Sequence, residues 1–382
     1  MQPFNIGDLH VKLPIVQGGM GVAVSLSGLA SAVANTGAIG VISAAAIGML
    51  EPDYMKNFHE ANKRALRKEI RKARTKTTGV LGVNIMMALT DHEALIKVAV
   101  EENIDVLFMG AGLPLKIPQI IAEAGLFGHH TKLVPKVSSA KAASLIFRHW
   151  ESRYNIIPDA VVVEGPMAGG HLGFRKENLS KNMVPLKQLV EETVATLLPF
   201  EQRYGKEIPV IAGGGLYTGR DIYEIMIAGA TAAKLGSRFV TTHECDASIE
   251  YKQSYLSATR EEIVIIDSPV GLPGRVVHND FVQQIMDGEA KPFKCPWKCL
   301  SSCDYRRAPF CIAKALFNSA RGNLREGFAF AGSNAYMAKE INYVSDVIND
   351  LIADYNRELI LRELSKVRAI RHHSVCHCGI AV

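Results

Sequence analysis

Ala160-Val-Val-Val-Glu-Gly-Pro-Met-Ala-Gly-Gly-His-Leu-Gly173 is the stretch whose reading decides the fold. Ala160–Val163 is a short apolar run, rich in β-branched residues and bounded by turn residues, which reads as a buried strand. It ends in glycines and then a single histidine, His171. The C-terminal end of a parallel strand is where α/β enzymes place their chemistry. An imidazole there can move a proton near neutral pH. Gly169 and Gly170 let backbone approach a flat ligand closely. A histidine after a strand also serves as a plain structural hydrogen-bonder, so its surroundings must decide.

Working outward, seven more apolar runs have the same character: Leu13–Val16, Ala38–Ile42, Gly79–Ile85, Val106–Met109, Leu133–Val137, Pro209–Ala212 and Ala232–Leu235. Helical or polar stretches separate most of them, which predicts right-handed βαβ units and a parallel sheet. Eight such strands favour a (β/α)8 TIM barrel over an open sheet. Small or polar groups follow many of the runs: Gln17-Gly-Gly-Met20, Asn84, Gly110-Ala-Gly112, Lys136, Gly169-Gly-His171, Gly213-Gly-Gly215 and Gly236-Ser-Arg238. A barrel would bring them to one face. The last two turns, Gly213, Gly214 and Gly215, then Gly236 and Ser237, follow strands seven and eight. With the helix start at Gly219-Arg-Asp221 they predict an anion pocket suited to the phosphate of a mononucleotide.

The chain has 382 residues, 48% of them hydrophobic, and a net charge of +5. That allows one large domain with a smaller appendage. The expected division is a barrel over 1–242, an inserted lid with a cysteine cluster over 243–320, C-terminal helices completing the barrel over 321–370, and a tail over 371–382. The closing helical pattern runs from Gly332 to about Arg368. The tail, Arg371 to Gly379, holds His and Cys residues that read as a frayed terminus or a metal site. No apolar run reaches the roughly 18 residues that span a bilayer. The N-terminus does not read as a signal peptide, so a cytoplasmic protein without membrane contact is expected. The basic stretch Lys63–Lys76 lacks interleaved aromatics for base stacking. It reads as a solvated helix face, with no nucleic-acid partner expected.

As a set, Pro14-Ile-Val-Gln-Gly-Gly-Met20, Gly82-Val-Asn84, Glu164-Gly-Pro-Met-Ala-Gly-Gly-His171, Ala212-Gly-Gly-Gly215 and Leu235-Gly-Ser-Arg-Phe239 resemble the nitronate monooxygenases, also called 2-nitropropane dioxygenases. The resemblance covers most of the first 240 residues and resumes at Phe330-Ala-Gly-Ser-Asn-Ala335. FMN-dependent enoyl-acyl-carrier-protein reductases share the superfamily. The resemblance implies a TIM barrel holding FMN noncovalently. Gly18, Gly19 and Met20 would lie along the isoalloxazine. Asn84 and Lys136 would contact the flavin or its ribityl chain, with Lys136 stabilising negative charge on the reduced cofactor. Gly214, Gly215, Gly236 and Ser237 would hold the phosphate, and His171 would be the acid or base on the substrate side.

Cys295, Cys299, Cys303 and Cys311 depart from the simplest members of that family, with spacing C-x3-C-x3-C-x7-C. A disulfide framework does not fit a cytoplasmic chain. Four thiolates suit an iron–sulfur cluster, expected as 4Fe-4S, or a zinc site, and zinc more often uses C-x2-C hairpins. The functional expectation is an FMN-dependent oxidoreductase acting on alkyl nitronates. The alternatives are an enoyl-thioester reductase fed by NAD(P)H or ferredoxin, and a non-enzymatic flavin/iron–sulfur redox sensor. A small molecule or acyl thioester is the expected partner, with a homodimer as the assembly.

Overall fold

A computed structural model describes residues 1–126, 128–179 and 183–376, with side chains through residue 365. Eight parallel strands form the barrel: β1 (Ile15–Gln17), β2 (Gly40–Ser43), β3 (Leu81–Met86), β4 (Val106–Gly110), β5 (Lys132–Val137), β6 (Val161–Glu164), β7 (Val210–Gly213) and β8 (Ala232–Leu235). Each falls within or overlaps one of the eight apolar runs. Neighbours pair in sequence order, β8 pairs with β1, and a parallel bridge from Val16 to Ile39 closes the ring at β1 and β2.

Side chains alternate between the two faces of a strand, and this sorts the barrel into layers. Val16, Val41, Phe108, Val134, Val162, Ile211 and Ala232 pack in one buried cluster inside the barrel. The N-terminal hairpin, Phe4–Ile6 with Leu9–Val11, adds Phe4, Ile6 and Val11 to that cluster and plugs the floor. Two residues further along each strand, the same parity brings up Gly18, Ser43, Gly110, Lys136, Glu164, Gly213 and Lys234. On β3 the matching residue is Asn84, two after Gly82. All eight line one cavity at the C-terminal end of the barrel.

Helices Ser27–Asn35, Phe58–Arg74, His92–Glu101, Ile117–Glu123, Ala140–Tyr154, Leu186–Tyr204, Gly219–Ile227 and Val344–Cys376 surround the strands. The last packs against Gly219–Ile227 and Ser27–Asn35. It begins at Val344, not at Gly332 as the periodicity predicts. The intervening segment is drawn onto the barrel mouth instead. The Gly332 amide donates to Ser237 Oγ at 2.8 Å, and Asn334 Nδ2 donates to the Gly215 carbonyl at 2.6 Å. The side chains of the His/Cys tail lie outside the described residues.

Residues 243–320 supply helices Ile249–Ser257, Asp280–Met286 and Ile312–Ala320, with strands β9 (Ile263–Asp267) and β10 (Pro273–Val277). β10 pairs antiparallel with Gly170–His171, so this segment grips the histidine's own backbone. Its apolar residues, Phe281 and Phe310 among them, belong to the same core as the barrel.

The helix Ser27–Asn35 has no cap of its own, since Leu26 stands at its N-cap. Asp246, far along the chain, accepts hydrogen bonds from the amides of Leu26, Gly28 and Leu29 at 2.8–3.1 Å, and Glu69 accepts from Ser27 at 2.9 Å. Orphan amides at a helix start are costly when buried. Asp246→Ala is therefore expected to destabilise the fold by about 2–4 kcal/mol, read as an earlier denaturant midpoint. A midpoint unchanged from wild type would show that other groups cap this helix.

The basic helix Phe58–Arg74 is a solvated face. Arg64, Arg67, Lys68, Arg71, Lys72 and Arg74 each lie within ion-pair distance of a carboxylate. Among the described residues no helix is long and apolar enough to cross a membrane.

Candidate functional site

The cavity encloses about 420 Å³, room for a flat cofactor and a small substrate. Gly18, Gly19, Met20, Asn84, Lys136, Gly169, Gly170, His171, Gly213, Gly214, Gly215, Gly236 and Ser237 all line it. The glycines serve different ends. A Cβ at Gly19 would sit 2.4 Å from Asn84 Cβ, so Gly19 makes room for the asparagine. Gly214 has φ +104°, and its Cβ would lie 2.8 Å from the Gly165 carbonyl oxygen. Gly236 differs: a Cβ there meets only Met20 Sδ, at 3.6 Å, so that wall is open to a ligand.

His171 is held on three sides. Its Nε2 lies 2.7 Å from Ser268 Oγ, and its ring stands edge-on to Phe330 with centroids 4.9 Å apart. Arg275, buried on β10, donates to the Ala168 carbonyl and fixes the loop just before the histidine. Nδ1 has no hydrogen-bond partner among the described residues, which leaves it for a substrate. Burial, and then the Lys136 ammonium, push His171 down from 6.5 to about 4. The ring is thus a neutral base at pH 7.

A folded pKa below the unfolded one sets the sign of the pH dependence. Above about 6.5 the ring is neutral in both states, and its contribution to stability is whole. As pH falls toward 4 the unfolded chain binds a proton that the folded chain refuses, so stability is lost. The His171 ring resonances are expected to report the neutral form still at about pH 5.5, against an ordinary value near 6.5. Titration near 6.5 would place the imidazole in water.

The charged floor departs from the sequence expectation. Lys136 is not a free cation: its Nζ lies 3.1 Å from Glu164 Oε1. A second floor cation is Lys234, which the sequence reading missed and whose charge Glu164 offsets only in part. It is buried, lines the cavity and has no carboxylate within ion-pair distance among the described residues. Burial and then Lys136 push it down to about 8. The signal was present: a lysine inside an apolar strand, at the parity of Lys136 and Glu164. Ser268 and Phe330 had no such local signal.

The helix Gly219–Ile227 does not offer its start to an anion. Thr218 and Asp221 form a capping box there, and Asp354 accepts from the Arg220 amide at 3.0 Å. The amides of Arg220 and Asp221 are already occupied, which leaves chiefly the glycine turns and Ser237 for a phosphate. One buried hydroxyl on the cavity wall, Ser43 Oγ, has no hydrogen-bond partner among the described residues. A buried polar atom without a partner is costly, and a hydrogen-bonding ligand would satisfy it.

Cys295, Cys299, Cys303 and Cys311 come together around a separate small cavity of about 20 Å³, and all four are free thiols. As they stand, no three His, Cys, Asp or Glu side chains among the described residues are placed to hold a metal ion. The sequence expectation of a formed metal site is corrected accordingly: the thiols share a cavity without meeting at a common centre.

A family model described as nitronate monooxygenase matches residues 3–354. FabK of Thermotoga maritima is 28% identical, with a TM-score of 0.70 over 94% of this chain and 96% of that one. A probable nitronate monooxygenase of Staphylococcus aureus is 23% identical across 89% of this chain and 96% of that protein. A (3aS,4S,5R,7aS)-5-hydroxy-7a-methyl-1-oxo-octahydro-1H-indene-4-carboxyl-CoA dehydrogenase of Rhodococcus jostii is 26% identical over 72% of this chain. That match spans 65% of the Rhodococcus protein, a little under two thirds of its length.

Proposed function

The chain belongs to the nitronate monooxygenase family and is an oxidoreductase, and on that premise we propose that it binds FMN and oxidises alkyl nitronates. The single observation that carries this reading is His171, a neutral base held by Ser268 beside a glycine-walled cavity with an unpaired lysine. An oxidoreductase also leaves no support for a non-enzymatic sensor.

The residues present fit FMN. The open wall at Gly236 and the unpartnered hydroxyl of Ser43 call for a bound polar group. Gly18, Gly19 and Met20 would lie along the ring system, with Asn84 and Lys136 beside it. Gly169, Gly170 and Gly213 complete the wall. Gly214, Gly215, Gly236 and Ser237 would hold the phosphate. Bound there, FMN would supply the redox chemistry linking substrate oxidation to oxygen.

This chain's own residues bind, orient and move one proton. Where the substrate arrives as the neutral nitroalkane, His171 Nδ1 would take its carbon-bound proton, leaving the nitronate that is oxidised and an imidazolium. Ser268 on Nε2 fixes which nitrogen is free. Lys234 supplies positive charge to the floor and would stabilise negative charge on a flavin bound above it. The segment 243–320 acts as a lid that carries Ser268.

The likeness to FabK, an enoyl reductase of this superfamily, favours a second reading, reduction of an enoyl thioester with NAD(P)H or ferredoxin as donor. One experiment separates the two. Purified protein is supplied with alkyl nitronates and oxygen, and separately with an enoyl thioester and NAD(P)H or reduced ferredoxin. Nitronate-dependent oxygen uptake without thioester reduction supports the leading reading. Thioester reduction without nitronate turnover replaces it with the second.

A further inference from the structure

We propose that the end of the barrel cavity lined by Met86, Leu113, Val137 and Leu272 is a subsite for a straight apolar chain, so that the preferred substrate carries an alkyl tail of several carbons rather than a short or charged one. The proposal rests on the nitronate reading for the reactive head group only. Barrel order fixes the layout. β4 and β8 stand opposite each other in the ring of eight strands. The glycine turns after β7 and β8 therefore lie across the mouth from the loop that follows β4. His171, after β6, stands between the two. A cofactor with its phosphate at the glycine turns leaves the β4 side for whatever the substrate extends past His171.

That side is apolar, and it is built. Met86, Leu113, Val137 and Leu272 all line the cavity, whereas its Lys136, Glu164 and Lys234 belong to the floor. The hydroxyl of Ser138, next to Val137, is spent on the Gly173 carbonyl at 3.0 Å. Leu113 is 48% exposed. Single exposed leucines are common, but the backbone under this one sets it apart. Ala111 has φ +53° and Gly112 φ +139°. The left-handed region is unfavourable for alanine and persists only where the surroundings enforce it. Here they do. The Met87 amide donates to the Gly110 carbonyl at 2.8 Å, and Trp150 Nε1 donates to the Pro114 carbonyl at 2.9 Å. The loop is thus clamped before and after Leu113, which is held out at the mouth in water. An alkyl chain lying along it removes that surface from water. The lid supplies Leu272. Ser302 Oγ donates to the Val270 carbonyl at 3.5 Å, and the Ser301 amide donates to the Ala88 carbonyl, just past β3, at 2.9 Å. These contacts bring the turn Ser268–Leu272 to the β3–β4 side. One turn therefore carries both Ser268, which holds His171, and a wall of the subsite. Met86 adds a pliable thioether that adapts to chains of different shape.

The test uses the flavin-loaded full chain and two ligand series. The first is the n-alkanecarboxylates from propanoate to octanoate, inert anions with a planar two-oxygen head like that of a nitronate, titrated calorimetrically. The second is the matching primary nitronates, read as kcat/KM by oxygen uptake. Each added methylene is expected to tighten carboxylate binding, and to raise kcat/KM, by about threefold. Leu113→Asp should flatten both series and leave propanoate binding within about twofold of wild type, while Leu113→Met should keep the slope. Flavin content shows that each variant has folded. A flat or absent carboxylate series, an unchanged slope in Leu113→Asp, or tighter binding of adipate than of hexanoate would each overturn the subsite. The subsite and the nitronate reading fail separately. A sloped carboxylate series without nitronate turnover removes the reading and keeps the subsite, and nitronate turnover with a flat carboxylate series does the reverse.

Discussion

His171→Ala is expected to keep its flavin and lose turnover by about 10²–10⁴-fold, the usual contribution of a positioned acid or base. The side chain lines the cavity, yet its wall is completed by many other residues, so binding should survive. The fold should survive too, because the strand pairing of Gly170–His171 with β10 runs through backbone. A loss under about threefold on the true substrate would reduce His171 to a structural hydrogen-bonder for Ser268. His171→Gln sharpens the test: it retains a hydrogen-bonding group for Ser268 but cannot act as a base near neutral pH. Equal losses in both variants point to proton transfer, whereas recovery in the glutamine variant points to packing.

Gly236→Val is expected to fold normally and to weaken FMN binding by about 100-fold or more, roughly 2.8 kcal/mol. The reason is the open space on that wall. The first added carbon meets only Met20 Sδ at 3.6 Å, so the protein itself is not strained, while the cofactor's approach is blocked. Gly214 is the poorer probe. Its φ of +104° and the 2.8 Å approach of the Gly165 carbonyl mean that a valine there would damage the turn before any ligand arrived. Flavin titration of the folded Gly236→Val protein reads the effect directly. Full occupancy with wild-type affinity would put the phosphate elsewhere in the cavity.

Much of the site was legible because a barrel strand is periodic. Ala160–Val163 and its seven counterparts announce themselves by composition, and the polar or glycine residue just beyond each run has to emerge at the barrel mouth. Even Lys234 obeys that rule, two residues after Ala232. It was passed over because an isolated lysine in a short strand carries no local mark of whether its charge is matched. Lys136 shows the converse. It looked free in sequence and is paired with Glu164 on the neighbouring strand.

By itself, then, the sequence determined the eight strands, their order and the ring of residues at the cavity floor. These follow from a two-residue pleat and short connections, both local properties. Only the tertiary structure decided which of those residues are spoken for. Ser268 reaches His171 across 97 positions, Asp246 caps a helix some 220 positions earlier, and Asp354 takes the Arg220 amide across 134. Such pairings depend on how the barrel closes and how the segment after β8 folds back over it. A charge or an amide is satisfied by whatever lies within about 3 Å, and along an unfolded chain that distance has no counterpart.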